Sequence, residues 1–286
     1  MTRPEVQSWF DPPTGTVTHC IRDPASRACA VVDPVLDFDY PSGRTSHTSA
    51  EAVARWIEAR GLAVVWLLET HAHADHLSAA PWLRERLGGS IAIGNRISDV
   101  QRAFADMLEL SDVSRTGDEF DRLFADGDAF SIGELDGTVW HTPGHTPACV
   151  SYVFEGAAFI GDTLFAPDFG SARCDFPGGD AGTLYRSVQR IYRLPADTRL
   201  YLCHDYPPAD RPPMTSVSVA EQRRANVHLR DGIAEAEFVD MRRARDRTLG
   251  MPQLLWPSIQ VNIRAGRLPE PSRTGRRYLK VPLDAF

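Results

Sequence analysis

Lysine is nearly missing from this chain of 286 residues: Lys280 is the only one, and every other basic side chain among the 31 is arginine. The bias reads first as codon composition and second as a supply of planar forks for carboxylates. Positive charge is not in excess either. A net charge of -7 and a pI near 5.7 argue against a general nucleic-acid surface, which needs a basic field. Cysteine is scarce: Cys20, Cys29, Cys149, Cys174 and Cys203 are odd in number, widely spaced and form no C-x-x-C pair. That excludes a disulfide framework and points to a reduced intracellular protein. No apolar run approaches bilayer length, and residues 1–13 hold no basic stretch followed by an apolar one. The expectation is a cytoplasmic protein with no membrane partner. Apolar content of 43% excludes a disordered or fibrous chain and suffices for a large folded domain.

What is present is concentrated. Thr70-His71-Ala72-His73-Ala74-Asp75-His76 packs three imidazoles and a carboxylate directly behind the apolar run 62–68, although the whole chain holds only nine histidines. Imidazole nitrogen suits a borderline first-row metal and carboxylate a harder one. On a turn leaving a strand, His71 and His73 can face one position while Asp75 and His76 face the next. Further ligand types each follow a strand-like run: His145 in Thr142-Pro143-Gly144-His145-Thr146, Asp162 in Gly161-Asp162-Thr163-Leu164-Phe165, and His204 in Cys203-His204-Asp205-Tyr206. Loops at strand ends are where scaffolds place their chemistry.

Taken together, His71-x-His73-x-Asp75-His76, His145, Asp162 and His204 resemble the five-part signature of the metallo-β-lactamase superfamily, with Asp33 after Ala30-Val31-Val32 as its first element. The resemblance covers roughly residues 15–210. It implies an α/β fold, the αββα sandwich, with the metal at one edge. The ligand inventory alone would fill a dinuclear site, His71, His73 and His145 for one ion, Asp75, His76 and His204 for the other, and Asp162 between them. Two zinc ions activating water would then be the default.

Ala172-Arg173-Cys174-Asp175-Phe176 points elsewhere, being similar to the Arg-x-Asp-Phe element of the persulfide dioxygenase branch, where glyoxalase II thioesterases usually carry an aromatic in place of Asp175. The stretch from Gly182 to Val188, His204-Asp205-Tyr206, and the tail Gln260-Val261-Asn262-Ile263-Arg264-Ala265-Gly266 resemble the same branch and its longer bacterial members. This implies a single Fe(II) per chain held by His71, His145 and Asp162, leaving open positions for substrate and O2. His73, Asp75, His76 and His204 would then orient ligands. The implied reaction is oxidation of glutathione persulfide, or a similar small thiol persulfide, by O2 to sulfite and glutathione, with Tyr206 hydrogen-bonding substrate or oxygen. Arg173 either pairs with Asp175 or touches glutathione, and Arg264 and Lys280 are candidate carboxylate binders. A homodimer is common in the family. The rival reading is a zinc-dependent glyoxalase II-type thioesterase hydrolysing glutathione thioesters. A non-catalytic sulfide-responsive regulator and a β-lactamase fit less well.

Periodicity predicts strands at 17–21, 29–32, 63–68, 91–93, 129–132, 138–141, 148–154, 157–160 and 200–203. It predicts helices at 49–60 (capped by Ser49), 77–87, 97–108 and 184–193, with loops at 34–48 and 111–126. The expected organisation is a catalytic domain over 1–210 and a C-terminal helical extension and tail over 211–286 packed on it. The extension's arginine-rich helices, 219–229 and 235–249, read chiefly as solvated faces with a substrate-facing minority.

Overall fold

The computed structural model describes residues 2–284. The chain opens with β1 (Glu5–Asp11), β2 (Thr16–Arg22), β3 (Ala28–Val32), β4 (Val35–Asp39) and β5 (Arg44–Ser46). Next come α1 (Thr48–Glu58), β6 (Ala63–Leu68), β7 (Leu77–Ser78), α2 (Ala80–Leu87), β8 (Ser90–Gly94), α3 (Ile97–Met107) and β9 (Arg122–Phe124). The second half runs β10 (Ala129–Ile132), β11 (Leu135–His141), β12 (Val150–Phe154), β13 (Ala157–Phe159), α4 (Ala181–Ile191), β14 (Arg199–Tyr201) and β15 (Ser216–Ser218). It closes with α5 (Val219–Ala225), α6 (Glu235–Asp246) and α7 (Leu255–Asn262).

Two mixed sheets, β1-β2-β3-β6-β8-β9 and β10-β11-β12-β13-β14-β15, face one another, and a small sheet β5-β4-β7 flanks them. Alternation along the strands divides the apolar side chains into layers. Ile21, Val32, Leu68 and Phe124 of the first sheet meet Phe130, Val139, Tyr152 and Phe159 of the second. Cys29, Val31 and Ile91 point the other way, under α1, α2, α3 and α7. On the far side, Leu184 and Val188 of α4 and Phe238 of α6 cover Ala158 and Leu200. Each buried Leu, Ile, Val or Phe is worth about 1.5–3 kcal/mol over leaving it exposed, so the αββα stack holds its strand ends at fixed distances. The segment beyond residue 210 supplies an edge strand to the second sheet and helices to both outer layers. No helix among the described residues is long and apolar enough to cross a membrane.

Several local expectations shift. Ser49 does not cap α1: its Oγ donates to Asp37 Oδ1 at 2.6 Å, and the helix begins after His47 without a side-chain cap. The predicted helix 77–87 gives up its first residues to β7 and starts just ahead of Pro81, where a missing N–H costs nothing. Residues 122–124, expected in a loop, form the parallel edge strand β9 against β8, and β1, β4, β5, β7, β15 and α7 add to the predicted elements. These pieces are short or lie on edges, so their partners select them more than their own periodicity does.

Candidate metal centre

The parallel neighbours β3 and β6 end together, Val32 opposite Leu68, which brings Asp33 beside the histidine-bearing loop. Asp33 sits at φ 49, a left-handed conformation that non-glycine residues rarely adopt, and is buried. Its Oδ1 accepts from the Thr70 amide at 2.8 Å and from His73 Nε2 at 2.9 Å, and its Oδ2 accepts from Thr70 Oγ1 at 2.9 Å. The second sheet delivers the other members from the loops after β11, β13 and β14. The sheets are stitched at this end: Val17 N donates to Cys203 O at 2.7 Å and Val150 N to Thr70 O at 3.0 Å. Gly144 makes one approach possible, since a Cβ there, at φ 138, would lie 2.4 Å from the Leu184 backbone.

Apart from His204, each imidazole is oriented by a bond on one nitrogen. His145 Nδ1 donates to Arg173 O at 2.8 Å, His76 Nδ1 lies 3.2 Å from Thr16 Oγ1, and His71 Nδ1 lies 3.1 Å from Thr70 Oγ1. What is left over converges. His71 Nε2, His73 Nδ1, His76 Nε2, His204 Nε2, Asp75 Oδ2 and Asp162 Oδ1 are buried with no hydrogen-bond partner among the described residues. Buried lone pairs without donors are costly unless a cation takes them, so this donor set fits a metal. The candidate ligand atoms form overlapping groups, each within 4.8 Å of one another: His71, His145 and Asp162; His73, Asp75, His76 and His204; and, sharing members with these, Asp162, Cys203 and His204, and Asp33, His73 and Cys203. His204 Nε2 bridges the groups, 3.2 Å from Asp75 Oδ2 and 3.3 Å from Asp162 Oδ1.

The electrostatics agree with a site built for positive charge. Burial, then neighbouring imidazoles, pushes His71 and His73 well below the ordinary histidine value, which keeps their lone pairs free at neutral pH. Burial would raise Asp75, but His204 and His76 hold it well below the usual carboxylate range. Burial raises Asp162 even against His204 and His145. His204 is raised because Asp162 and Asp75 outweigh the burial that opposes its charge.

Asp75, His145 and Asp162 lie at one end of a cavity of about 510 Å³. Phe165, Phe169 and Tyr206 form an aromatic side, with the Tyr206 ring stacked on His204 at 5.9 Å. Although about 41% of Tyr206 stays exposed, the crowding of its phenol by neighbours, then Asp75 and Asp162, raises it, so it keeps its proton. Arg173 lines the cavity but is committed: it forks onto Asp175 at 2.6 and 2.8 Å and donates to Gly250 O at 2.8 Å. Arg264 and Lys280 stand elsewhere. Arg264 is buried and bidentate to Asp112 at 2.8 and 2.9 Å, and Lys280 Nζ donates to Leu108 O and Glu109 O at the end of α3. Neither is among the residues lining the cavity. Sequence reasoning did not single out Arg242 and Arg245 of α6, which face the cavity, or Asn262 beneath the histidine loop. The i, i+3 spacing of the two arginines was the available signal.

Residues 15–204 match the family model described as the metallo-beta-lactamase superfamily. A probable metallo-hydrolase of Burkholderia pseudomallei is 52% identical, over 98% of this chain and 99% of its own length. Human mitochondrial persulfide dioxygenase ETHE1 is 31% identical, over 91% of this chain and 88% of its own. The crystal structure of ETHE1 from Myxococcus xanthus superimposes with a TM-score of 0.73 at 27% identity, covering 92% of this chain and all of that one.

Proposed function

The chain belongs to the metallo-β-lactamase superfamily, and from that premise we propose that it is an iron-dependent dioxygenase converting glutathione persulfide and O2 to sulfite and glutathione. The observation that carries the reading is that His71, His145 and Asp162 form a compact two-histidine, one-carboxylate set whose His145 and Asp162 line the cavity. Similarity to a protein named persulfide dioxygenase over nine-tenths of the chain supports it. Fe(II) in such a set supplies open positions that a soft persulfide sulfur and O2 share. The chain's own residues do the rest. His145 is aimed by the Arg173 carbonyl, and the Tyr206 phenol, kept protonated, donates toward an anionic substrate. Arg173, fixed by Asp175, shapes the opposite wall with its guanidinium 5.0 Å over the Phe176 ring. In the overall reaction the S–S bond breaks and the terminal sulfur leaves as sulfite carrying the oxygens of O2 and one from water. The thiol takes up a proton.

A second reading has its own support. His73, Asp75, His76 and His204 also converge within 4.8 Å, enough for a second ion, and a 52% identical relative is named a probable metallo-hydrolase. Two zinc ions activating water would give a thioesterase. Elemental analysis of the purified protein combined with O2 uptake on glutathione persulfide separates the two. About one iron per chain with O2 consumption is expected for a two-histidine, one-carboxylate site. A two-zinc protein that hydrolyses S-lactoylglutathione without consuming O2 would overturn the dioxygenase.

A further inference from the structure

The tail motif around Asn262 has no part in the chemistry above, yet it reaches the centre. Asn262 ends α7 and is buried. Its Nδ2 donates to His73 O at 2.9 Å and to His76 O at 2.8 Å, and its Oδ1 accepts from Ser78 N at 2.8 Å. Both amide hydrogens and the oxygen are therefore used. The flipped amide would set oxygen against two carbonyls and NH2 against an N–H, so the geometry admits a single orientation. The two carbonyls belong to residues whose side chains are ligand candidates and bracket Asp75. Their directions set ψ at His73 and His76, hence where the loop aims its donors.

The other end of that loop is held by Asp33 through Thr70 and His73, whereas the Asn262 end is held from about 190 residues away in sequence. α7 is in turn latched. Gln260 Nε2 donates to Lys280 O at 2.8 Å and Gln260 Oε1 accepts from Lys280 N at 2.9 Å, while Gln101 Nε2 donates to Ile263 O at 2.9 Å. A Cβ on Gly266 would lie 2.6 Å from Pro81 Cδ and 2.9 Å from Ser78 O, so the chain passes hard against β7 as it leaves the helix.

We propose that Asn262 is a positioning residue for the metal centre, holding the 73–76 turn in the shape that aims its side chains at the cluster, whether they ligate the ion or orient its ligands, so that the C-terminal segment is a working part of the site. The inference rests on the cluster holding a metal and is independent of which reaction that metal serves.

The test compares the full-length chain with Asn262→Ala and, as a control on the same helix, Gln260→Ala. Zn(II) affinity is measured by chelator competition, and melting temperature with and without Zn(II). Asn262→Ala is expected to weaken Zn(II) by ~10- to 100-fold, the range for groups that orient ligands, and to shrink the rise in melting temperature that Zn(II) produces. Gln260→Ala is expected to lower the metal-free melting temperature and leave the affinity alone. Unchanged affinity in Asn262→Ala, or equal losses in both variants, would overturn the proposal, since a merely structural role lowers the metal-free and metal-bound forms together. If Asn262→Ala does not fold, hydrogen exchange on the unaltered protein decides. Slower exchange of the α7 amides on Zn(II) binding supports the coupling, and indifference of α7 while the 71–76 loop responds refutes it.

Discussion

The two halves of the ligand cluster differ in how the protein holds them. His71, His145 and Asp162 come from three separate strand ends, and His145 and Asp162 open on the cavity. His73, Asp75 and His76 come from one tight turn, are joined by His204, and are bound into the protein: His73 by Asp33, His76 by Thr16, Asp75 beside His204. Both halves have second nitrogens committed to protein partners, and Asp75 also lines the cavity, so the halves differ chiefly in their backbone: the turn carbonyls of His73 and His76 are gripped by Asn262. This difference in how the two sets are held can be tested.

The largest effect is expected from the open half. Asp162→Ala or His145→Ala should lower O2 uptake with glutathione persulfide by more than ~100-fold, exceeding the loss typical of groups that only orient ligands. Bound iron should fall with it in elemental analysis. Retained iron would move the ion out of this set. The bound half should respond more mildly. Asp75→Asn is expected to cost ~10- to 100-fold in turnover while keeping the iron, as for a ligand-orienting group. Loss of one of two metals per chain in that variant would instead mark Asp75 as a ligand and favour the hydrolase.

Smaller effects concern the frame. Arg173→Met removes the fork onto Asp175 and the bond to Gly250 O, and should lower stability in urea by about 2 kcal/mol, the scale of hydrogen bonds to charged groups. Iron content should not change. The last prediction concerns His19, which holds the chain two residues ahead of His204. His19 Nε2 donates to Leu202 O at 2.9 Å, so its Nδ1 accepts from Ser8 Oγ at 2.8 Å and the ring is neutral. Burial lowers it to about 4, against the raising effects of the Leu202 carbonyl and Asp33. The unfolded chain binds this proton near pH 6.5, so the stabilisation is complete above that and drains away as pH falls toward 4. The His19 share of the loss between pH 7 and pH 5 should be roughly 1–2 kcal/mol, read as the difference in pH dependence between the metal-free protein and its His19→Gln variant.

Much of the site is legible in the sequence. Asp33, His71, His145, Asp162 and His204 each follow an apolar strand-like run, because a buried sheet must end before a polar ligand begins. Asp175 beside Arg173 was readable as a local pair, and the fork between them is a two-residue contact. Arg264 and Lys280 were expected to meet substrate carboxylates, and the structure places both at the α3 side, on Asp112 and on helix-end carbonyls. Nothing local distinguishes a charged tail residue that reaches a ligand from one that caps a helix. The Ser49 cap lost to Asp37 for the same reason, a competing acceptor twelve residues away.

The sequence by itself determined the superfamily, the layered α/β plan and the inventory of donors, because ligand chemistry and strand periodicity are written in residue type and short spacing. Only the tertiary structure decided which donors share a position, that Arg242 and Arg245 turn to the cavity, and that Asn262 grips the histidine turn. Those outcomes rest on hydrogen bonds closed between distant segments, whose partners are chosen by packing of the whole core and not by any neighbour along the chain.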